Sequence, residues 1–222
     1  MLDGPRLRAL SKRPKRLVVL LHGYGASGDD LINLAADWQE QLPEYEFVSP
    51  HAPESCEINP VGYQWFGLRD FNPFNIRSGL DRARPILKKF LLNEINRLGF
   101  MPEDLILVGF SQGTMMALDA MFSFPGVTAI LGYSGAFYPP VGENLKATKP
   151  KVMLIHGDTD VVIPYPAMNE AARQLKLFGI EPETYTCKGL GHGINEQGVK
   201  LGWEFLQQFN APITHEQQAS RI

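Results

Sequence analysis

Near the middle of the chain, an apolar run passes into a helical pattern through a turn that holds a serine between two glycines. Asp104-Leu105-Ile106-Leu107-Val108 reads as a strand buried on both faces. Gly109-Phe110-Ser111-Gln112-Gly113 follows, and then Met115, Met116, Leu118, Met121 and Phe122 recur at helical spacing up to Pro125. A turn this tight admits only glycine two residues either side of the serine, because any Cβ there would strike neighbouring backbone. It lifts the serine hydroxyl clear of the sheet, to the N-terminus of the next helix. There the helix dipole and free N–H groups favour developing negative charge.

The rest of the chain repeats the alternation. Strands are predicted near 17–21, 46–49, 104–109, 128–133, 151–155 and 183–187. Helices are predicted near 28–41, 80–98, 112–123, 166–178 and 195–209. Such alternation gives an α/β fold, a mostly parallel central sheet with helices on both faces. With 222 residues, the chain suits one domain, 1–222, and has no insertion large enough for a separate cap domain.

A serine nucleophile needs a base, an acid that orients it and donors for an oxyanion, and the chain offers each in turn. Val152-Met153-Leu154-Ile155 leads into His156-Gly157-Asp158-Thr159-Asp160. Acids at the C-terminal end of a buried strand lie where open α/β sheets bind ligands. One of Asp158 and Asp160 is expected to orient the base and the other to close the turn; the residues alone leave the choice open. His192 stands between Gly191 and Gly193, in a loop with little bulk to keep it from the serine. The order Ser…Asp…His is that of the α/β-hydrolase fold. Near the start, Leu17-Val18-Val19-Leu20-Leu21 runs into His22-Gly23-Tyr24-Gly25. A backbone N–H of that loop, at Tyr24, and the N–H of Gln112 would form the oxyanion hole. His22 is read as structural, since His192 already supplies the base.

These pieces resemble the phospholipase/carboxylesterase family of small α/β-hydrolases, which includes acyl-protein thioesterases and bacterial carboxylesterases. The resemblance rests on Leu21-His22-Gly23-Tyr24-Gly25, Pro50-His51-Ala52-Pro53, Trp65-Phe66, Gly109-Phe110-Ser111-Gln112-Gly113, His156-Gly157-Asp158-Thr159-Asp160 with Val162-Ile163-Pro164, and Gly191-His192. It implies that Asp160 is the orienting acid, that Ser111, Asp160 and His192 are catalytic, and that Tyr24 and Gln112 supply the oxyanion N–H groups. It also implies ester hydrolysis through an acyl-enzyme, with lysophospholipase or acyl-protein thioesterase activity as alternatives using the same machinery. A non-catalytic binding protein on a hydrolase scaffold is the remote alternative. Two departures from the family pattern, Thr114 in place of a second glycine and Tyr24-Gly25-Ala26 in the first loop, are expected to reshape the acyl pocket.

Between Ala52 and Gly79 no regular pattern is legible, yet Tyr63, Trp65, Phe66, Phe71 and Phe74 crowd into it. Aromatics in that number argue against disorder, and a loop that long is usually functional. It is read as a flap over the acyl site, with Trp65, Phe66, Phe71 and, facing them, Phe137 binding substrate. Residues 1–16 read as a basic, solvated leader and 211–222 as a polar tail. A net charge of −3 gives no reason to expect nucleic acid. Two distant cysteines, Cys56 and Cys187, suggest reduced thiols in a cytoplasmic enzyme, with neither cofactor nor metal site. No lipid anchor is indicated. The expected partner is a small-molecule or lipid-like acyl ester or an acylated protein, and the expected state a monomer or homodimer.

Overall fold

The computed structural model describes residues 2–68, 70–145 and 149–210. Its elements are β1 (Arg6–Leu7), β2 (Arg16–Leu21), α1 (Gly28–Trp38), β3 (Tyr45–Val48), β4 (Glu54–Ser55), β5 (Tyr63–Gln64), α2 (Pro73–Leu98), β6 (Leu105–Phe110), α3 (Gln112–Ala120), β7 (Ala129–Tyr133), β8 (Lys151–Gly157), α4 (Pro166–Leu177), β9 (Glu183–Cys187) and α5 (Glu196–Gln207). Seven strands form the main sheet in the order β1-β3-β2-β6-β7-β8-β9. All neighbours are parallel except β1, which runs antiparallel to β3. This is the α/β-hydrolase architecture expected from the alternation.

The apolar runs are central strands because both their faces are covered. Leu17, Val19, Leu105 and Leu107 pack under α2 and α3 on one face. Val18, Leu20, Ile106 and Val108 pack under α1 and α5 on the other. Two separate cores therefore sandwich one sheet, as strands buried on both sides require.

The strand order also fixes where a ligand can sit. From β2 the chain moves outward to β3, then returns to the opposite side of β2 to lay down β6. The loops after β2 and β6 diverge there, and the crevice at their carboxyl ends is the topological switch point. His22–Gly25 leaves one strand end and Ser111 the other.

Three expectations need correction. Helix α2 starts at Pro73, not near 80. Asn72 caps it, accepting from the Phe74 N–H at 2.9 Å, and Pro73 opens its first turn. That signal lay inside the segment read as irregular. The segment also contains a two-stranded hairpin, β4 with β5. The leader is docked rather than free: β1 pairs with β3, Arg6 bridges Glu94 at 2.9 Å, and the buried Arg16 bridges Asp104 at 2.8 Å. The tail at 211–222 lies outside the described residues.

Candidate active site

Ser111 joins β6 to α3 at φ 54°, a left-handed conformation that costs a serine about 1–3 kcal/mol. The surrounding backbone enforces it. Ser111 N–H donates to the Tyr133 carbonyl at 2.9 Å, and a Cβ at Gly113 would collide with the Leu21 carbonyl. Thr114 braces the turn from below, its hydroxyl within 2.8 Å of the Gly109 carbonyl and 2.9 Å of the Tyr133 carbonyl. Thr114 therefore points into the β6–β7 layer, not into an acyl pocket, which corrects the expectation drawn from this departure.

At the end of β8, Asp160 is buried. Its Oδ1 accepts the N–H groups of Val162 and Ile163, each at 2.9 Å. Its Oδ2 lies 2.7 Å from His192 Nδ1. Burial pushes the carboxyl pKa up, but the hydrogen bonds from His192, Ile163 and Val162 outweigh burial and hold it below the usual value. A carboxylate only accepts, so His192 Nδ1 carries the proton of this hydrogen bond. Asp158 does the other job: its Oδ1 accepts the Gly189 N–H at 2.6 Å and closes the turn that leads to His192.

The imidazole lies beside the elbow, its ring 4.9 Å from that of Phe110, the neighbour of Ser111. The Ser111 hydroxyl has no hydrogen bond among the described residues.

The first loop closes the other side. A Cβ at Gly23 would stand 3.2 Å from Ser111 Cβ, so this backbone lies directly on the serine. Ala26 N–H bonds back to the Gly23 carbonyl at 3.2 Å, and Gly25 takes the positive φ (79°) that the turn demands. The turn leaves the Tyr24 N–H without a backbone acceptor among the described residues. Gln112 opens α3, so its N–H has no partner within the helix either. His22 locks the loop. Ala52 N–H donates to its Nε2 at 2.9 Å, so Nδ1 holds the proton and donates to the Gly23 carbonyl at 2.8 Å. Burial lowers the His22 pKa to about 4, which keeps the ring neutral and structural.

The aromatic segment is not a free wall. Trp65 and Phe66 are each only 1% exposed, Phe137 is 6% exposed, and all three belong to the core under α2 and α3. Phe137 stacks on Phe122, with ring centroids 6.3 Å apart. Phe71 is 55% exposed. Two anchors hold the segment down. Trp65 Nε1 donates to the His22 carbonyl at 3.0 Å. The Gln112 side chain accepts the Trp65 N–H at 2.9 Å and donates to the Phe66 carbonyl at 2.7 Å. Packed aromatics with satisfied polar atoms fill space instead of offering it. An apolar cleft of about 240 Å³ lies on the opposite face, lined by His22, Gly23, Ala26, Asp30, Leu31, Phe110 and Ile194, and a polar one of about 280 Å³ opens at the aromatic segment between Glu57, Gly67, Asp70, Asn75, Ser78 and Arg82.

Sequence reasoning gave no role to three groups that meet here. The Gln112 side chain ties the elbow to the aromatic segment. His156 Nε2 lies 2.8 Å from the Ile163 carbonyl and 3.3 Å from Asp160 Oδ2, so the acid stands between two imidazoles. Ser134 sits at φ 47°, its hydroxyl 3.5 Å from the Gly193 carbonyl of the His192 loop. The spacing of four between His156 and Asp160 was the available signal. Nothing in the local pattern announced Ser134. Among the described residues, no group of three His, Cys, Asp or Glu side chains could hold a metal ion.

The phospholipase/carboxylesterase family model matches residues 3–210. Acyl-protein thioesterase 1 homolog 1 of Dictyostelium discoideum is 26% identical over 202 residues, covering 86% of this chain and 89% of the relative. Esterase YpfH of Escherichia coli strain K12 is 25% identical over 197 residues, covering 88% and 84%. Among solved structures, esterase PE8 superposes with a TM-score of 0.88 at 40% identity, covering 93% of this chain and 98% of its own. The chain thus belongs to the phospholipase/carboxylesterase family and is a hydrolase of the carboxylesterase and thioesterase type.

Proposed function

We propose that the protein hydrolyses carboxylic esters through an acyl-enzyme, with Ser111 as nucleophile, His192 as base and Asp160 as its orienting acid. The observation that carries this is the 2.7 Å hydrogen bond from His192 to Asp160, beside a serine held at φ 54°. In the first step Ser111 Oγ forms a bond to the carbonyl carbon and His192 Nε2 takes its proton. The Asp160 carboxylate stabilises the imidazolium. The carbonyl oxygen becomes an oxyanion facing the N–H groups of Tyr24 and Gln112, each worth about 3–4 kcal/mol where such donors have been removed. As the intermediate collapses, the C–O bond to the alcohol breaks and His192 returns the proton to the departing oxygen. Water, deprotonated by the same imidazole, then attacks the acyl-enzyme and frees the acid.

Thioester hydrolysis is the second reading, favoured by relatives named acyl-protein thioesterase. The same steps apply with a thiol as leaving group. Two buried free cysteines fit the cytoplasmic setting expected from the sequence.

Hydrolysis of a p-nitrophenyl ester series, from short to long acyl chains, tests the proposal with Ser111→Ala as the blank. Turnover that vanishes in the variant supports it. Turnover that persists rejects it.

A further inference from the structure

We infer that the cleft between α1 and the His192 loop is the leaving-group subsite, and that it takes an uncharged alkyl or aryl group carried by the departing alcohol or thiol. This assignment rests on the serine-hydrolase mechanism above. The departing oxygen or sulfur must receive its proton from His192 Nε2, so the leaving group lies on the imidazole's side of the serine. The open cleft is on that side. Phe110 forms one wall and packs on the His192 ring at 4.9 Å. Ile194, two residues beyond His192, lines it too, and Ala26 and Leu31 line it from the first loop and α1. Its inner end is bordered by Gly23 and Phe110, the first packed on Ser111, where a Cβ would stand 3.2 Å from Ser111 Cβ, and the second its neighbour in the chain.

The lining selects for hydrocarbon. Leu31, Ala26, Phe110 and Ile194 present apolar side chains, and His22 is neutral. The one charged group in the lining, Asp30, is engaged by the helix cap: its Oδ2 accepts the N–H of Ser27, the N-cap of α1, at 2.7 Å and the Ser27 hydroxyl at 2.8 Å. On the opposite face Trp65 and Phe66 are packed and anchored by Gln112, and the cavity beyond them is lined by polar and charged side chains, Glu57, Asp70, Asn75, Ser78 and Arg82, unsuited to hydrocarbon. Discrimination is therefore expected along the alcohol rather than along the acyl chain.

The test compares two ester series on the full chain. In one, acetate is fixed and the alcohol grows from ethyl to hexyl. In the other, ethanol is fixed and the acyl group grows from acetyl to hexanoyl. Acid release gives kcat/KM. In the native protein the alcohol series should rise about fourfold per methylene until the cleft is full, the value set by burying one CH2. Ile194→Trp, which fills the cleft, should lower the hexyl-to-ethyl ratio at least tenfold and leave the slope of the acyl series in place. Leu31→Trp, from the facing wall, should do the same, and thermal unfolding of both variants separates a filled cleft from a damaged fold. A flat alcohol series in the native protein overturns the assignment. So does a variant that flattens the acyl series instead, which would make this cleft the acyl site. Undiminished hydrolysis by Ser111→Ala would overturn the underlying mechanism, an outcome distinct from either.

Discussion

Two walls meet at Ser111, and they differ in a way their composition does not reveal. The wall under α2 and α3 is rich in aromatics, with Trp65, Phe66 and Phe137, and it is full. The wall under α1 and α5 is made of Phe110, Ile194, Leu31 and Ala26, and it is open. What separates them is anchoring. Trp65 spends its indole N–H on the His22 carbonyl, and Gln112 clamps the backbone of Trp65 and Phe66. Phe66 lies so close to Gly79 of α2 that a Cβ there would strike its ring. Aromatic content thus measures how much apolar surface a segment must hide; whether it hides it against substrate or against its own helices depends on partners distant in sequence.

The comparison can be broken or sharpened at several points. The largest effect is expected where the walls join. Ser111→Ala should lower kcat by about 10⁶, as removal of a serine nucleophile does elsewhere, while thermal unfolding stays close to native. Next, Asp160→Asn should cost about 10⁴ in kcat, because the imidazole loses its tautomer control. Asp158→Asn should cost far less, since its contact is with the Gly189 N–H. Steady-state kinetics of the pair checks both, and the reverse ranking would reassign the acid.

The filled wall should answer in stability. Trp65→Ala and Phe66→Ala should each lose about 3–5 kcal/mol in denaturant unfolding. Phe71→Ala, at an exposed position, should stay within about 0.5 kcal/mol. A Trp65→Ala protein of native stability but altered acyl-chain preference would show that wall to be a groove after all.

An effect confined to acid pH concerns His22, which links the first loop to the aromatic segment. Its pKa is about 4 in the fold and about 6.5 in an unfolded chain. Above pH 6.5 the ring is neutral in both states and pH has no effect through it. As pH falls from 6.5 to 4, the unfolded chain takes a proton that the fold refuses, so stability declines, by about 3 kcal/mol in all. Urea unfolding across this window should record the decline, and His22→Asn should flatten it.

Much of this was legible in the sequence because the decisive constraints are local. A serine between glycines at a strand end, apolar runs of strand length and acids just past a buried strand need no distant partner to be read. The strand expected at 183–187 is β9, with the same bounds. What escaped reading depends on tertiary partners. The Pro73 start of α2 is masked in the sequence by the aromatics around it, which signal burial rather than capping. The leader's charges looked solvated because Glu94 and Asp104 lie nearly ninety residues away along the chain. The roles of Asp158 and Asp160 follow from which one meets His192 across the β8–β9 edge. Thr114 turned inward because the elbow needs a hydroxyl between the Gly109 and Tyr133 carbonyls, a demand that spans two strands.

The central claim is that Ser111 attacks the acyl carbon. Treatment with a fluorophosphonate, followed by peptide mass mapping, examines it at the reacting atom. A single phosphonyl adduct on Ser111, slowed strongly in Asp160→Asn and absent in Ser111→Ala, is the predicted result. No adduct, or an adduct on another residue with Ser111 unmodified, would contradict it.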